Sequence, residues 1–133
     1  MVSELADWKT FLEEGKKFHR TAQGSVRRPD VFTPAIIQNV AALGIEKYFM
    51  AVFAKRGMLP RNHTMTDLLE EAQGFITLSG ETEQTLRYMD SLQRICSMDD
   101  FSIADPLPED VPRFLEALDE LQTLAENGIA ETQ

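Results

Sequence analysis

Cysteine is almost absent from this sequence: Cys96 is the only one in 133 residues. A lone thiol can form neither an internal disulfide nor a multi-cysteine metal site, and such chains suit a reducing compartment, so a cytoplasmic location is expected. Apolar neighbours at helical spacing make Cys96 a packed structural thiol rather than a nucleophile. No Gly-rich phosphate loop occurs. No Glu-x-x-His pair occurs either, so the ligands of a two-metal helical-bundle centre are missing, and neither metal nor cofactor is expected. The opening MVSELADWK is acidic and amphipathic, unlike a secretory signal. Glu46 and Lys47 interrupt the longest apolar run, which argues against a membrane span or a membrane partner. No stretch alternates apolar and polar residues for more than a few positions, so no strand of ordinary length is predicted.

Basic residues are also in the minority, and they are unevenly placed. The formal charge is −9. Residues 1–63 carry ten Lys/Arg against six Asp/Glu, a net of +4, whereas residues 64–133 carry three against sixteen, a net of −13. An acidic total argues against tight, sequence-independent nucleic-acid binding. The basic half leaves room for a local anion site drawn from Lys16, Lys17, Arg20, Arg27, Arg28, Lys55, Arg56 and Arg61. The alternative is that these are solvated faces and helix-end charges.

What the sequence has in abundance is helical periodicity. The stretch Thr33–Gly57, TPAIIQNVAALGIEKYFMAVFAKRG, opens on an N-cap threonine with Pro34 in the first turn. It closes with Lys55, Arg56 and a glycine suited to a left-handed C′ position. Its apolar residues run nearly all round, the mark of a helix that others pack around. A first helix is predicted from about Ser3 to about Gly24, with Ser3 as N-cap, Trp8 as a core anchor and His19 at the surface or partly packed. A third starts at Thr64 or Thr66 and keeps an apolar face as far as Ser79-Gly80. A fourth spans about Glu81 to Ser97, with Leu86, Met89, Leu92 and Cys96 as its stripe. After a proline-bearing loop over Met98–Asp110, a last helix is capped by Asp110 and ends at Asn127-Gly128. The expected architecture is a single all-α domain over 1–133, an antiparallel four- to five-helix up-and-down bundle.

Within this pattern, Glu46-Lys47 on the long second helix are followed by the small and aliphatic residues Phe49 to Val52. Arg56-Gly57, Pro60 and His63 come next, leading into Leu68-Leu69. This arrangement resembles the HEPN family (higher eukaryotes and prokaryotes nucleotide-binding domains). The resemblance implies a helical bundle that often dimerises and commonly acts as the partner of a small nucleotidyltransferase. A second branch of the family consists of metal-independent ribonucleases, some of them toxins of toxin–antitoxin pairs. There an Arg, a polar residue and a His four to six residues further on meet their copies in a dimer cleft. Histidine suits transfer of a ribose hydroxyl proton, and arginine suits the charge that builds on phosphorus. Here Arg56 and His63 have the spacing, but Gly57 stands where the polar residue belongs.

The favoured expectation is therefore a non-catalytic nucleotide-binding or nucleotidyltransferase-partner module, homodimeric, with Lys55, Arg56, Arg61 and His63 as its nucleotide- or anion-binding residues. One alternative is a ribonuclease using Arg56 and His63 on RNA. Another is a helical interaction module with no small ligand. In a purely structural role, Arg56 would donate to the last carbonyls of its helix and His63 would help start the next. Glu46 and Lys47, about 100° apart on the helix, cannot face each other, so a buried charge there would need a partner on another helix.

Overall fold

The computed structural model describes residues 7–97 and 106–131. Five α-helices are present among them: α1 (Trp8–Ser25), α2 (Pro34–Lys55), α3 (Met65–Ala72), α4 (Gly80–Ser97) and α5 (Val111–Glu131), with a 3-10 turn at Pro108–Asp110 ahead of α5. The fold is an all-α bundle. Ser3, the 98–105 part of the predicted loop and the side chain of Cys96 lie outside what the structure describes.

α2 is the axis. Thr33 caps it, its hydroxyl accepting from the Ile36 N–H at 3.3 Å, and Pro34 occupies the first turn. Ile45, Tyr48, Phe49, Ala51 and Phe53 are completely buried. By length and composition α2 could cross a membrane, yet 67% of its most apolar window is buried inside this bundle. α1 and α5 cover much of it. They approach closely because glycines leave room: a Cβ on Gly15 would lie 2.7 Å from the Tyr48 ring, and one on Gly44 would lie 2.9 Å from Leu118. Phe114, Leu118, Leu121 and Ala125 form the buried stripe of α5.

The chain reverses in an unexpected place. The loop after α2 climbs back along it, bringing His63 to the level of Glu46. α3 then descends, so that Phe75 meets Phe53 edge-on at 5.4 Å. α2, α3 and α5 consequently share a direction, opposed by α1 and α4; the Lys16–Glu126 and Thr82–Glu120 pairs show how α1 and α4 lie against α5.

Several local readings need correction. α3 stops at Ala72 instead of running to Ser79-Gly80, because the chain turns over 73–75 and both the Phe75 and Ile76 N–H groups donate to the Ala72 carbonyl. Phe75 and Ile76 reach the core from that turn. α5 does not end at Asn127-Gly128 but continues to Glu131. Asp110 turns backwards: its carboxylate accepts from the Leu107 N–H at 2.9 Å and the Tyr88 hydroxyl at 2.7 Å, bracing the 3-10 turn that feeds α5. Burial and this hydrogen bond push the Tyr88 phenol up to about 12. Trp8 is only half-buried; Lys9 and Lys55 lie 5.5 Å and 4.9 Å from its ring.

Glu120 shows how α4 begins. Its carboxylate accepts from the Ser79 N–H (2.7 Å), the Ser79 hydroxyl (2.9 Å) and the Thr82 hydroxyl (2.6 Å). Ser79 Oγ in turn accepts from the Thr82 N–H at 3.1 Å, so a residue of α5 supports the cap of α4. Burial raises the Glu120 pKa, but these three bonds to the ionised form outweigh it, and the net shift is downward. A lowered folded value means that the stabilisation is present above the ordinary glutamate range and is lost as pH falls through the folded value. Glu120→Gln should cost about 1 kcal/mol at neutral pH. Urea unfolding at falling pH should show the gap between wild type and variant closing in acid; a gap independent of pH would contradict this account.

Candidate functional site

The residues singled out in the sequence lie around the turn that leaves α2. Gly57, at φ +72°, takes the left-handed conformation that a Cβ disfavours. It permits a two-bond helix stop, with the Gly57 N–H donating to the Ala54 carbonyl and the Met58 N–H to the Phe53 carbonyl, each at 2.9 Å. Pro60 is buried, and the Arg61 N–H donates to both carboxylate oxygens of Glu71 at 3.2 and 3.4 Å. Thr64 then caps α3 by accepting from the Asp67 N–H at 3.1 Å. The loop is thus pinned at both ends and in the middle, and it leaves Arg56, Arg61 and His63 exposed.

The four proposed anion-binding residues have separate partners and are spread along α2: Lys55 and Arg56 stand at its C-terminal end, whereas His63 lies at the level of Glu46, about 15 Å back along the axis at the helical rise. Lys55 lies over Trp8. Arg56 lies over Phe75, 4.6 Å from the ring centre. His63 Nδ1 meets Glu46 Oε2 at 2.8 Å. Arg61 is held through its backbone. Arg56 does donate to the closing carbonyls of its helix, through its backbone N–H to Phe53 at 3.0 Å, while its guanidinium lies over Phe75; Thr64 caps α3, with His63 the residue before the cap.

Glu46 and Lys47 do part company as their helical angle requires. Lys47 reaches across to Glu14 on α1 at 3.2 Å, while Glu46 turns to His63. The structure therefore joins two features separated by 17 residues, the mid-helix Glu-Lys pair and the histidine before α3.

Sequence reasoning missed a second polar assembly. His19 is 3% exposed, against the expectation of a surface or partly packed residue. Its Nε2 donates to Asp119 Oδ1 at 2.8 Å, since an ionised carboxylate only accepts; in the neutral ring Nδ1 then accepts from the Tyr48 hydroxyl at 2.9 Å. This chain of bonds ties α1, α2 and α5 together. Burial, followed by Glu126, pushes the Tyr48 phenol upward. A cleft of about 240 Å³ opens beside it, lined by Lys16, His19, Arg20, Gln23, Tyr48 and Gln122. Lys16 is already paired with Glu126 at 3.4 Å. The available signal was the spacing of His19 from Phe11, Leu12 and Gly15, which puts it on the packed side of α1. Among the described residues, no group of three or more His, Cys, Asp or Glu is placed to hold a metal ion.

The fold is similar to that of the protein TT1696 from Thermus thermophilus, with a TM-score of 0.73 at 16% identity, covering 92% of this chain and 98% of that one. At that identity the likeness concerns the bundle alone. No family model matches the chain. A search of curated proteins gives no match.

Proposed function

We propose that this protein is a non-catalytic binding module of the HEPN type, taking a nucleotide or a nucleotidyltransferase partner at the surface formed by Lys55, Arg56, Arg61 and His63. The observation that carries this reading is the Glu46–His63 bond at 2.8 Å, which links the two parts of the sequence resemblance; Arg61, two residues before His63 in the chain, is exposed. Arg56 stacks on Phe75 and His63 bonds Glu46, so the two side chains are engaged separately, an arrangement that favours binding over chemistry within one chain. Binding to the folded state alone raises the melting temperature by mass action. AMP or ATP at a hundredfold excess over Kd should stabilise the protein by about 2.7 kcal/mol, read as a rise of several degrees. Arg56→Ala and Arg61→Ala should reduce the shift. An unchanged melting curve in wild type would favour an interaction module with no small ligand.

One observation supports the ribonuclease alternative. A carboxylate on Nδ1 is the arrangement that orients a proton-transfer histidine, and it leaves Nε2 facing outward. That reading requires RNA cleavage in the presence of chelator, abolished by both Arg56→Ala and His63→Ala. A folded wild-type sample that leaves RNA intact would remove it.

A homodimer fits the same picture. Ile36 and Leu43, seven residues apart on one face of α2, are 41% and 43% exposed, with the half-buried Val40 between them. Two copies packed on this face would cover apolar surface that α1 and α5 leave open. Sedimentation should show a dimer that weakens in Leu43→Glu; monomer alone at high concentration would exclude it.

A further inference from the structure

A run of one charge sign lies on α1, away from the α2–α3 loop. Between Glu14 and Asp30 the sequence holds five Lys/Arg and no Asp or Glu, in a chain whose net charge is −9. The turn of α1 continues past Ser25, the Arg27 and Arg28 N–H groups donating to the Gly24 and Ser25 carbonyls at 3.2 and 3.0 Å. Lys16 is taken up by Glu13 and Glu126. Lys17, Arg20, Arg27 and Arg28 are exposed and have no ion-pair partner among the described residues. At the helical turn angle, Arg20 and Arg27 form one row and Lys17 and Arg28 a second, with Gly24 between them. The space at Gly24 is open. Helix-end electrostatics does not account for this set: a carbonyl end attracts cations within its last turn, where α1 has none, and Lys17 and Arg20 stand further back. The set is also separate from Lys55, which lies over Trp8 at the opposite end of α1, about 25 Å away at the helical rise.

Four unpaired cations on an acidic protein suit a short polyanion better than a long one. α5 lies beside α1 with Asp119 and Glu126, whose charges repel anything that extends past the two cationic rows. Among residues 15–31 no aromatic side chain is exposed, so bases would find nothing to stack on. Val26 and Val31 flank the two arginines instead, 45% and 46% exposed. An acidic peptide supplies both complements, carboxylates for the guanidinium groups and an aliphatic side chain for the valines. Lys17 to Arg28 covers about 16 Å along the helix axis, the reach of about five extended residues. We propose that the outer face of α1, from Lys17 to Arg28, docks an acidic segment of a partner protein, with carboxylates on the two rows and an aliphatic side chain against Val26 and Val31. This surface is independent of the nucleotide reading above.

The probe is a fluorescently labelled peptide, Glu-Glu-Leu-Glu-Glu-Leu, followed by anisotropy. Wild type should bind it at low salt, and binding should weaken steeply as salt screens the exposed charges. Arg20→Gln combined with Arg27→Gln should weaken it about tenfold, the size of two exposed ion pairs. Both arginines are exposed and unpaired, so the fold does not depend on them. An equal loss of charge elsewhere, Lys9→Gln with Arg87→Gln, should leave binding unchanged. Serine in place of both peptide leucines should weaken it about threefold, as partial burial of aliphatic surface requires. Failure of wild type to bind the peptide at millimolar concentration would overturn the proposal. So would equal binding by the Arg20/Arg27 variant, or indifference to the peptide leucines. Tighter binding of hexauridylate through the same arginines would assign this face to nucleic acid and overturn it too. Self-association abolished by the same two substitutions would do likewise, giving the face to the acidic half of a second copy.

Discussion

A helix that buries Ile45, Tyr48, Phe49, Ala51 and Phe53 completely must be covered on opposite sides, and this requirement on α2 shapes the rest of the molecule. Each large apolar side chain among them contributes about 1.5–3 kcal/mol when removed from water, so a neighbour that sat an ångström too far away would forfeit a large part of the fold's small margin. Gly15 and Gly44 allow the necessary approach by leaving no Cβ where Tyr48 and Leu118 must lie. The same closeness places the Tyr48 hydroxyl against His19, where an unpaired phenol would be costly. The Tyr48–His19–Asp119 chain is thus a consequence of packing three helices around an aromatic residue with a polar end. Its partners account for both ring nitrogens, which is why it reads as part of the framework.

Polar groups from one element stabilise the beginnings of others throughout the bundle. Glu120 of α5 supports the cap of α4, Asp110 braces the turn ahead of α5 with help from Tyr88, and Glu71 of α3 holds the loop after α2. Among the described residues no buried side-chain nitrogen or oxygen lacks a partner. A loop whose backbone is anchored in this way loses less ordering entropy when a ligand arrives. Arg56, Arg61 and His63 therefore stand on a rigid platform although they belong to a connection between helices.

Much of the helical framework was legible from periodicity and capping. Thr33, Pro34 and Gly57 mark α2 because a hydroxyl acceptor, a missing N–H and a missing Cβ each suit one helix position. The errors fell where a local signal had a tertiary competitor. The apolar residues Phe75 and Ile76 continue the pattern of α3, yet they reach the core from a turn, which the periodicity of α3 cannot distinguish from a longer helix. Asn127-Gly128 has the composition of a helix end, but it lies within α5. His19 falls at a packed position of α1, and no local rule announces partners 29 and 100 residues away.

That this chain is helical, that α2 is its apolar centre and that cations gather in its first half all follow from side-chain spacing and from charges that can be counted along the chain. The climb of the loop back along α2, which sets His63 on Glu46, exists only once the helices have packed. That contact depends on the direction of a reversal, which is fixed by the burial of Pro60, the turn at Gly57 and the anchor at Glu71 acting together. Packing likewise selects which nitrogen of His63 faces outward, because a tautomer is chosen by the group on the opposite side of the ring, and that group lies 17 residues away along the chain.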